Sequence, residues 1–483
     1  MDQRTQSILS IFEQINSIPR CSKHEGNISN WLKEWALFHG LSVKFDSVNN
    51  VVITVPPSPG YEKSPTIVIQ GHMDMVCEKV ESSLHDFSRD SIKSVYDGDW
   101  LRADGTTLGA DNGIALAMAL ELARDPGIRH PTLELLFTVD EETSMQGANA
   151  LTFDFISGQI FLNLDSEEEG VFIVGCAGGV TTSIEMSLEC VPIPESYSIC
   201  MLVAEGMAGG HSGVDIHEKR ANANKVLAAA IYKLMDLKDS NIMLMSVDGG
   251  KAHNAIPRYS HAILACPVDI LPLMESSVAQ LENEFSSEYA EREPGLILRL
   301  EEVHKDDAYR AIAPNIAKKL VQMLLDLPYG VASMSSAMPD LVETSSNLAV
   351  IKTAQDNFTI VTSQRSSDMA KLGGLTDRIN SMARLAGARV HNSEGYPSWK
   401  PNMSSSLLRK CEDVYESLFG EKPEVEVIHA GLECAVIGSK FAGLDMISFG
   451  PTIKNPHSPD ERLYIPSVSR TWEFLVALLA SFR

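Results

Sequence analysis

Apolar residues recur along the chain in two rhythms, and the alternation between them predicts an ordered series of helices and strands. Ile8, Ile11, Phe12 and Ile15 fall at helical spacing and stop before Pro19. Ile28, Trp31, Leu32, Trp35 and Phe38 form one face of a second helix that Gly40 ends. Short strands follow at 41–45 and 51–55, then a Pro/Gly turn at 56–60. Continuous apolar runs at 66–70, 133–139 and 160–164 read as strands covered on both faces. Between the first two of these, 114–122 is rich in Ala, Leu and Met and reads as a helix.

Near Gly178-Gly179 the texture changes. Residues 180–392 mix alternating strands with helices such as 223–237 and 377–386, and a strand–helix–strand unit recurs around 201–265 and 346–391. From about Glu394 the first texture returns, with helices at 403–418 and 468–479 and strands at 424–428 and 446–449. The expected fold is α/β: a doubly wound, mostly parallel sheet interrupted by a large inserted α+β domain built of two ferredoxin-like halves. The expected domains are 1–179 with 394–483, and an inserted lid at 180–393. A domain set into an exposed loop is physically tolerable.

The length of 483 residues is too great for one core, so more than one domain is expected. Net charge is −24, from 40 basic and 64 acidic residues, which argues against nucleic acid or an anionic membrane as partner. Eight cysteines are scattered without a CxxC pair, a poor pattern for a thiolate zinc site or a redox motif. The first residues carry no basic and apolar leader, and no apolar run reaches membrane-spanning length. A soluble protein of the reducing cytoplasm is the simplest expectation.

The chemistry sits where the buried strands end. The run at 66–70 leads into His72 and Asp74, two residues apart and so on one side of extended chain. The run at 133–139 ends in Asp140-Glu141-Glu142, and the run at 160–164 in Asp165. Asp111 lies in an Ala-Asp-Asn-Gly turn ahead of a helix, and His457 follows the strand at 446–449. In open α/β sheets ligands bind at the carboxyl ends of strands. Singly, these are an acidic turn, an ordinary Asn-Gly turn and a loop histidine; together, in order, at successive strand ends, they describe a metal site. Adjacent carboxylates repel unless a cation or proton lies between them. Two histidines with several carboxylates suit Zn²⁺ or another borderline divalent ion better than Ca²⁺. Five ligands, one bridging, suffice for two ions about 3.5–4 Å apart.

Five stretches carry a resemblance: Gly71-His72-Met73-Asp74-Met75-Val76, Thr107-Leu108-Gly109-Ala110-Asp111-Asn112-Gly113, Phe137-Thr138-Val139-Asp140-Glu141-Glu142, Asn163-Leu164-Asp165-Ser166-Glu167-Glu168 and Gly209-Gly210-His211-Ser212-Gly213. In that order they resemble the co-catalytic zinc exopeptidases, a family that includes glutamate carboxypeptidase, aminoacylases and dipeptidases, and the resemblance runs over essentially the whole chain. It implies that His72 and Asp165 bind one metal, Glu142 and His457 the other, and that Asp111 bridges them. It implies that Asp74 orients His72, that Glu141 is the general base, and that the Asp111–Asn112 peptide bond is cis. Asp at position 165 resembles the dipeptidase and aminopeptidase branches, where the carboxypeptidases and aminoacylases usually have Glu.

The resemblance also implies that His211, from the insert, helps to hold the oxyanion of the tetrahedral intermediate. The second half of the insert is then expected to stand in for a partner's lid, so that His211 acts within its own chain. Asn254 is a candidate substrate contact. Arg365 is a candidate clamp for a substrate carboxylate, since a guanidinium presents a two-pronged fork. Glu433 is a candidate partner for a substrate ammonium. The expected activity is metal-dependent hydrolysis of Xaa-His dipeptides, β-alanyl-histidine included, with two divalent ions, zinc foremost and cobalt or manganese also suited. An aminoacylase or carboxypeptidase of the same family is the alternative, and a non-catalytic metal- or peptide-binding protein is the alternative from another class. A homodimer is left open.

Overall fold

In the computed structural model, residues 2–303, 310–335 and 341–483 are described. The chain divides into two compact units, one of residues 1–176, 399–427 and 432–483, the other of 177–398 and 428–431.

The first unit is built on an eight-stranded sheet. Its middle strands Leu133–Thr138, Ile67–His72, Ile160–Asn163 and Asp445–Ser448 are neighbours and run parallel. Antiparallel strands flank them, Val51–Val55 and Ser42–Phe45 on one side and Val171–Cys176 on the other, and Glu424–Ile428 forms the edge beyond Val171–Cys176. Every residue of Ile67–His72 and Leu133–Thr138 is buried, as the unbroken apolar runs require. The helix Ala110–Arg124 is buried from Ala110 to Leu122, which explains why its residues are apolar all round. Helices Gln3–Asn16, Gly26–Phe38, Ser406–Phe419 and Ile465–Ala480 complete the unit. The sheet is thus the α/β, mostly parallel sheet expected, with the parallel pairing confined to its middle.

Cys21 and Cys77 are joined in a disulfide, with 5.7 Å between their Cα atoms. The scattered cysteines had given no cue to this pair, and a reducing setting had left no place for it. Among the described residues no helix is long and apolar enough to cross a membrane.

The second unit carries a nine-stranded antiparallel sheet. One half runs Tyr197–Glu205, helix Ala223–Met235, Met243–Gly249, Ser260–Pro267, helix Leu271–Tyr289, Ile297–Val303; numbered along the chain, its strands lie in the order 4-1-3-2. The other half runs Gly178–Ser187, helix Pro314–Asp326, Val342–Thr353, Asn357–Ser366, helix Met369–Leu385, Arg389–Asn392, and its strands take the same order. The halves meet through their second strands, at Gly249 and Ile351. They do not follow one another in sequence: the first half is spliced between the opening strand and opening helix of the second. Helix Met369–Leu385 is longer than the expected 377–386. The Asp368 side chain accepts the N–H groups of Ala370 and Lys371 and so starts the helix ahead of the helix-weakening pair Gly373-Gly374.

Candidate metal centre

The parallel strands of the first unit end side by side, and the turns that follow them bring the acidic and histidine side chains together. Asp111 is the centre of the group. One of its carboxylate oxygens lies 3.1 Å from His72 Nε2 and the other 3.1 Å from His457 Nε2. His72 Nε2 is also 3.3 Å from Asp165 Oδ1, and His457 Nε2 is 3.0 Å from Glu142 Oε2. Two sets of potential ligands therefore share Asp111: His72, Asp111 and Asp165, and Asp111, Glu142 and His457, each with its ligand atoms within 4.8 Å of one another. The Asp111–Asn112 peptide bond is cis.

The turns that present these groups are held by buried polar contacts. Asp74 lies 3.4 Å from His72 Nδ1 and accepts the N–H groups of Glu141 at 3.0 Å and Glu142 at 3.2 Å. One carboxylate thus braces both the histidine turn and the acidic turn. The N–H of Asp140 goes to Glu25 Oε1 at 2.9 Å, and the Asp140 carboxylate accepts the hydroxyls of Thr143 and Ser144. Asp140 is therefore spent on the hydroxyl side chains of the four-residue helix that it precedes, with its own φ at +53°. Asn112 closes the set, its Oδ1 accepting the His72 N–H and its Nδ2 donating to the Leu164 carbonyl.

The charges in this group are mutually strained. Burial disfavours a charged His72, but Asp165, Asp111 and Asp74 hold its proton well above the ordinary range. Burial likewise opposes a charged His457, and Asp111 and Glu142 overcome it and push it up to about 11. Burial raises Asp111, but His457 and His72 bring it below the usual carboxylate range. Glu142 is pushed up to about 7 by burial and by Asp111. Protons thus occupy positions that cations would take. Glu142 Oε1 is buried without a hydrogen bond, which is how a ligand oxygen looks when its partner is an ion. The donor set fits two divalent ions.

Glu433 does not fit its expected role. Its side chain is fully buried, and Oε2 accepts from Gln70 Nε2 and Thr138 Oγ1, both at 2.6 Å. Burial pushes its carboxyl up to about 8. A group enclosed among the sheet's own side chains is not placed to meet an ammonium. The strand-end pattern had also missed Glu167, two residues past Asp165, whose carboxyl is pushed up to about 8 by burial and then by Asp111.

The second unit gathers the other candidates. The two-residue strand Gly210–His211 pairs with Ala255–Ile256, and Ser212 N–H donates to the Asn254 carbonyl at 2.8 Å. His211 Nδ1 accepts the N–H groups of Gly213 at 3.3 Å and Val214 at 3.0 Å. An imidazole nitrogen that accepts cannot carry the proton, so the neutral ring is protonated at Nε2 and donates there. Gly210 has φ at +133°, and a Cβ there would come 2.6 Å from Asp215 Oδ2. Arg365 is buried; Nη1 donates to Tyr396 Oη at 2.9 Å, and Nε has no hydrogen-bond partner. His429, which the sequence pattern did not single out, is buried with Nε2 2.7 Å from Ser345 Oγ. Burial, then Arg365 and His211, push its imidazole down to about 3. His253 is also lowered, by burial and Arg365. Of the expected substrate residues, His211, Asn254 and Arg365 belong to this unit and Glu433 to the first.

The sequence matches the peptidase family M20/M25/M40 over residues 68–481. It is 36% identical over 474 residues to the cytosol non-specific dipeptidase of Escherichia coli, covering 98% of this chain and 97% of that protein. The crystal structure of the aminoacylhistidine dipeptidase from Vibrio alginolyticus superposes with a TM-score of 0.86 at 37% identity, over 98% of this chain and 96% of that one. The di-peptidase Dug1p of Saccharomyces cerevisiae shares the fold, with a TM-score of 0.52 at 13% identity over 99% and 98% of the two chains.

Proposed function

Because the chain belongs to peptidase family M20/M25/M40, we propose that it is a metal-dependent dipeptidase acting on Xaa-His dipeptides, β-alanyl-histidine among them. One observation carries the reading: a single carboxylate, Asp111, divides its two oxygens between His72 and His457, each of which has a further carboxylate beside it. We assign His72 and Asp165 to one divalent ion, Glu142 and His457 to a second, and Asp111 to both, with zinc the first choice and cobalt or manganese also suited. Such a pair supplies Lewis acidity to a carbonyl and makes bound water acidic near neutral pH.

The remaining roles belong to the chain's own groups. Glu141 follows the strand Leu133–Thr138 on a turn held by its backbone N–H bond to Asp74, and we assign its carboxylate to take the water's proton and return it to the leaving amine. Asp74 accepts from His72 Nδ1 and keeps Nε2 turned toward Asp111 and Asp165, with which it would hold an ion. His211, protonated at Nε2, donates to the oxyanion, a contact worth a few kcal/mol when the donor is preset. Arg365 takes the substrate carboxylate on the part of its fork that Tyr396 does not use, and Asn254 lies beside His211 as a second substrate contact. Glu433 is withdrawn as the ammonium partner. The repeated 4-1-3-2 strand order supports a duplicated ferredoxin-like origin for the second unit. The name of the Escherichia coli relative places that protein in the cytosol, and we propose the same compartment here.

The test combines metal analysis with a substrate panel. The chelated protein should be inactive on Xaa-His dipeptides and recover on adding Zn²⁺, Co²⁺ or Mn²⁺. Hydrolysis of N-acetyl amino acids with no dipeptide cleavage would turn the reading to an aminoacylase.

A further inference from the structure

We propose that Arg20 and Glu461 form a two-sided clamp that positions Asp111, and so act as positioning residues for the metal centre; the proposal rests on the dinuclear reading above. The turn Leu108–Asp111 is held by its amides on one side and its carbonyls on the other. Glu461 Oε2 accepts the N–H groups of Leu108 at 2.7 Å and Gly109 at 2.9 Å, while Oε1 accepts those of Ala110 at 2.7 Å and Asp111 at 3.3 Å. Four consecutive amides on one buried carboxylate fix both the path and the tilt of the turn. On the carbonyl side, Arg20 Nη2 donates to Gly109 O at 2.5 Å, and Asn16 Nδ2 donates to Leu108 O at 2.9 Å.

The same two residues tie the turn to its neighbours. Arg20 Nη1 donates to the carbonyls of Met73 and Asp74, both at 3.1 Å, so one guanidinium joins the turn of Asp111 to the turn that carries His72. Glu461 stands four residues after His457, so one carboxylate joins the turn of Asp111 to the loop of the second histidine. The Ser22 hydroxyl beside Arg20 donates to Asp74 Oδ2 at 2.8 Å. Arg20 is 1% exposed, and the charges that act on it are those of Glu461, Asp74, Asp111 and Glu142. A buried guanidinium among those carboxylates offsets part of their repulsion, which favours an assembled site before any ion arrives.

The clamp adds to what the backbone already asks of the motif's glycines, Gly109 having φ at +70°. A Cβ on Gly109 would lie 2.5 Å from Arg20 Nη2, and one on Gly113 would lie 2.6 Å from the same atom. Both positions leave room for the guanidinium rather than for an ion. Arg20 and Asn16 lie outside the stretch matched by the family, 68–481, so this half of the clamp has no counterpart in that match.

The test is metal affinity of the full chain, measured by calorimetry with Zn²⁺, together with the visible spectrum of the Co²⁺-loaded protein. Glu461→Gln keeps the size of the side chain but turns an NH₂ group toward backbone amides. It should weaken metal binding about 10–100-fold, the usual effect of losing a support behind a ligand, alter the Co²⁺ spectrum, and lower kcat more than it raises KM. Arg20→Lys keeps the charge, loses the fork and serves if the first variant fails to fold; about a tenfold loss is expected by the same rule. Leu408→Ala, a core truncation in the helix Ser406–Phe419, is the control for stability alone and should keep wild-type affinity. Folded Arg20 and Glu461 variants with wild-type affinity and spectrum overturn the clamp, as does a loss matched by Leu408→Ala. A wild-type protein that binds no divalent ion overturns the dinuclear reading itself, and the clamp with it.

Discussion

Both units collect ionisable side chains in one place, but with opposite sign. In the first, Asp111, Glu141, Glu142 and Asp165 converge, and the two histidines nearest them are driven toward the protonated state. In the second, burial and then the charge of Arg365 drive the imidazoles of His253 and His429 toward the neutral state. Each group is short of its counter-charge. A fold that keeps like charges together holds them for a partner of the other sign: cations in the first unit, a carboxylate or oxyanion in the second. The sign of the missing charge therefore separates the metal side of the proposed reaction from its substrate side.

The sharpest attack on this contrast is at Glu141. If crowded carboxylates divide into ion ligands and a proton carrier, Glu141→Ala should keep both ions, by elemental analysis, and lose about 10²–10⁴-fold in kcat. Loss of metal from that variant would move Glu141 into the ligand set and leave the site without an assigned base.

A smaller effect is expected at the second group. Hydrogen bonds to charged partners contribute about 1.5–3 kcal/mol, so Arg365→Ala should lower kcat/KM for a dipeptide about 10–150-fold. The same variant should change little against the C-terminal amide of that dipeptide, which has no carboxylate to clamp. Equal losses on both substrates would mean that Arg365 acts on the fold and not on the substrate.

The two groups also differ in how far they can be read without coordinates. The metal side is legible because three of the five ligands follow an apolar run closely, so the strand and its terminal chemistry are one local signal: His72 after 66–70, Glu142 after 133–139, Asp165 after 160–164. The parallel sheet is legible for the same reason. What lies behind the ligands is not. Glu461 meets Leu108 across 353 positions, and Arg20 meets Gly109 across 89, with no periodicity to announce either contact. Glu433 could be taken for an ammonium partner because only folding encloses it between Gln70 and Thr138. The splice inside the second unit is invisible for a related reason. Each strand is locally ordinary, and the partner of Gly178–Ser187 begins at Asn357. His429 shows the limit best, since nothing near it in sequence marks Ser345 or Arg365 as its neighbours.

His429 also supplies the finest test, because it reports on the second group alone. In the unfolded chain a histidine takes up its proton near pH 6.5. In the folded chain, burial, Arg365 and His211 delay that uptake until about pH 3. The unfolded state thus binds the extra proton throughout that window. The stability contributed by a neutral His429 is fully present above pH 6.5 and is lost as pH falls, at up to about 1.4 kcal/mol per pH unit. Other groups titrate in the same range, so the informative quantity is the difference between wild type and His429→Gln in chemical denaturation across pH 4.5–7.5. The variant should be the less stable at pH 7.5, having lost the bond to Ser345, and the gap should narrow or reverse toward pH 4.5. Parallel curves would show that His429 ionises in the folded protein much as it does unfolded, and the positive character assigned to its surroundings would have to be given up.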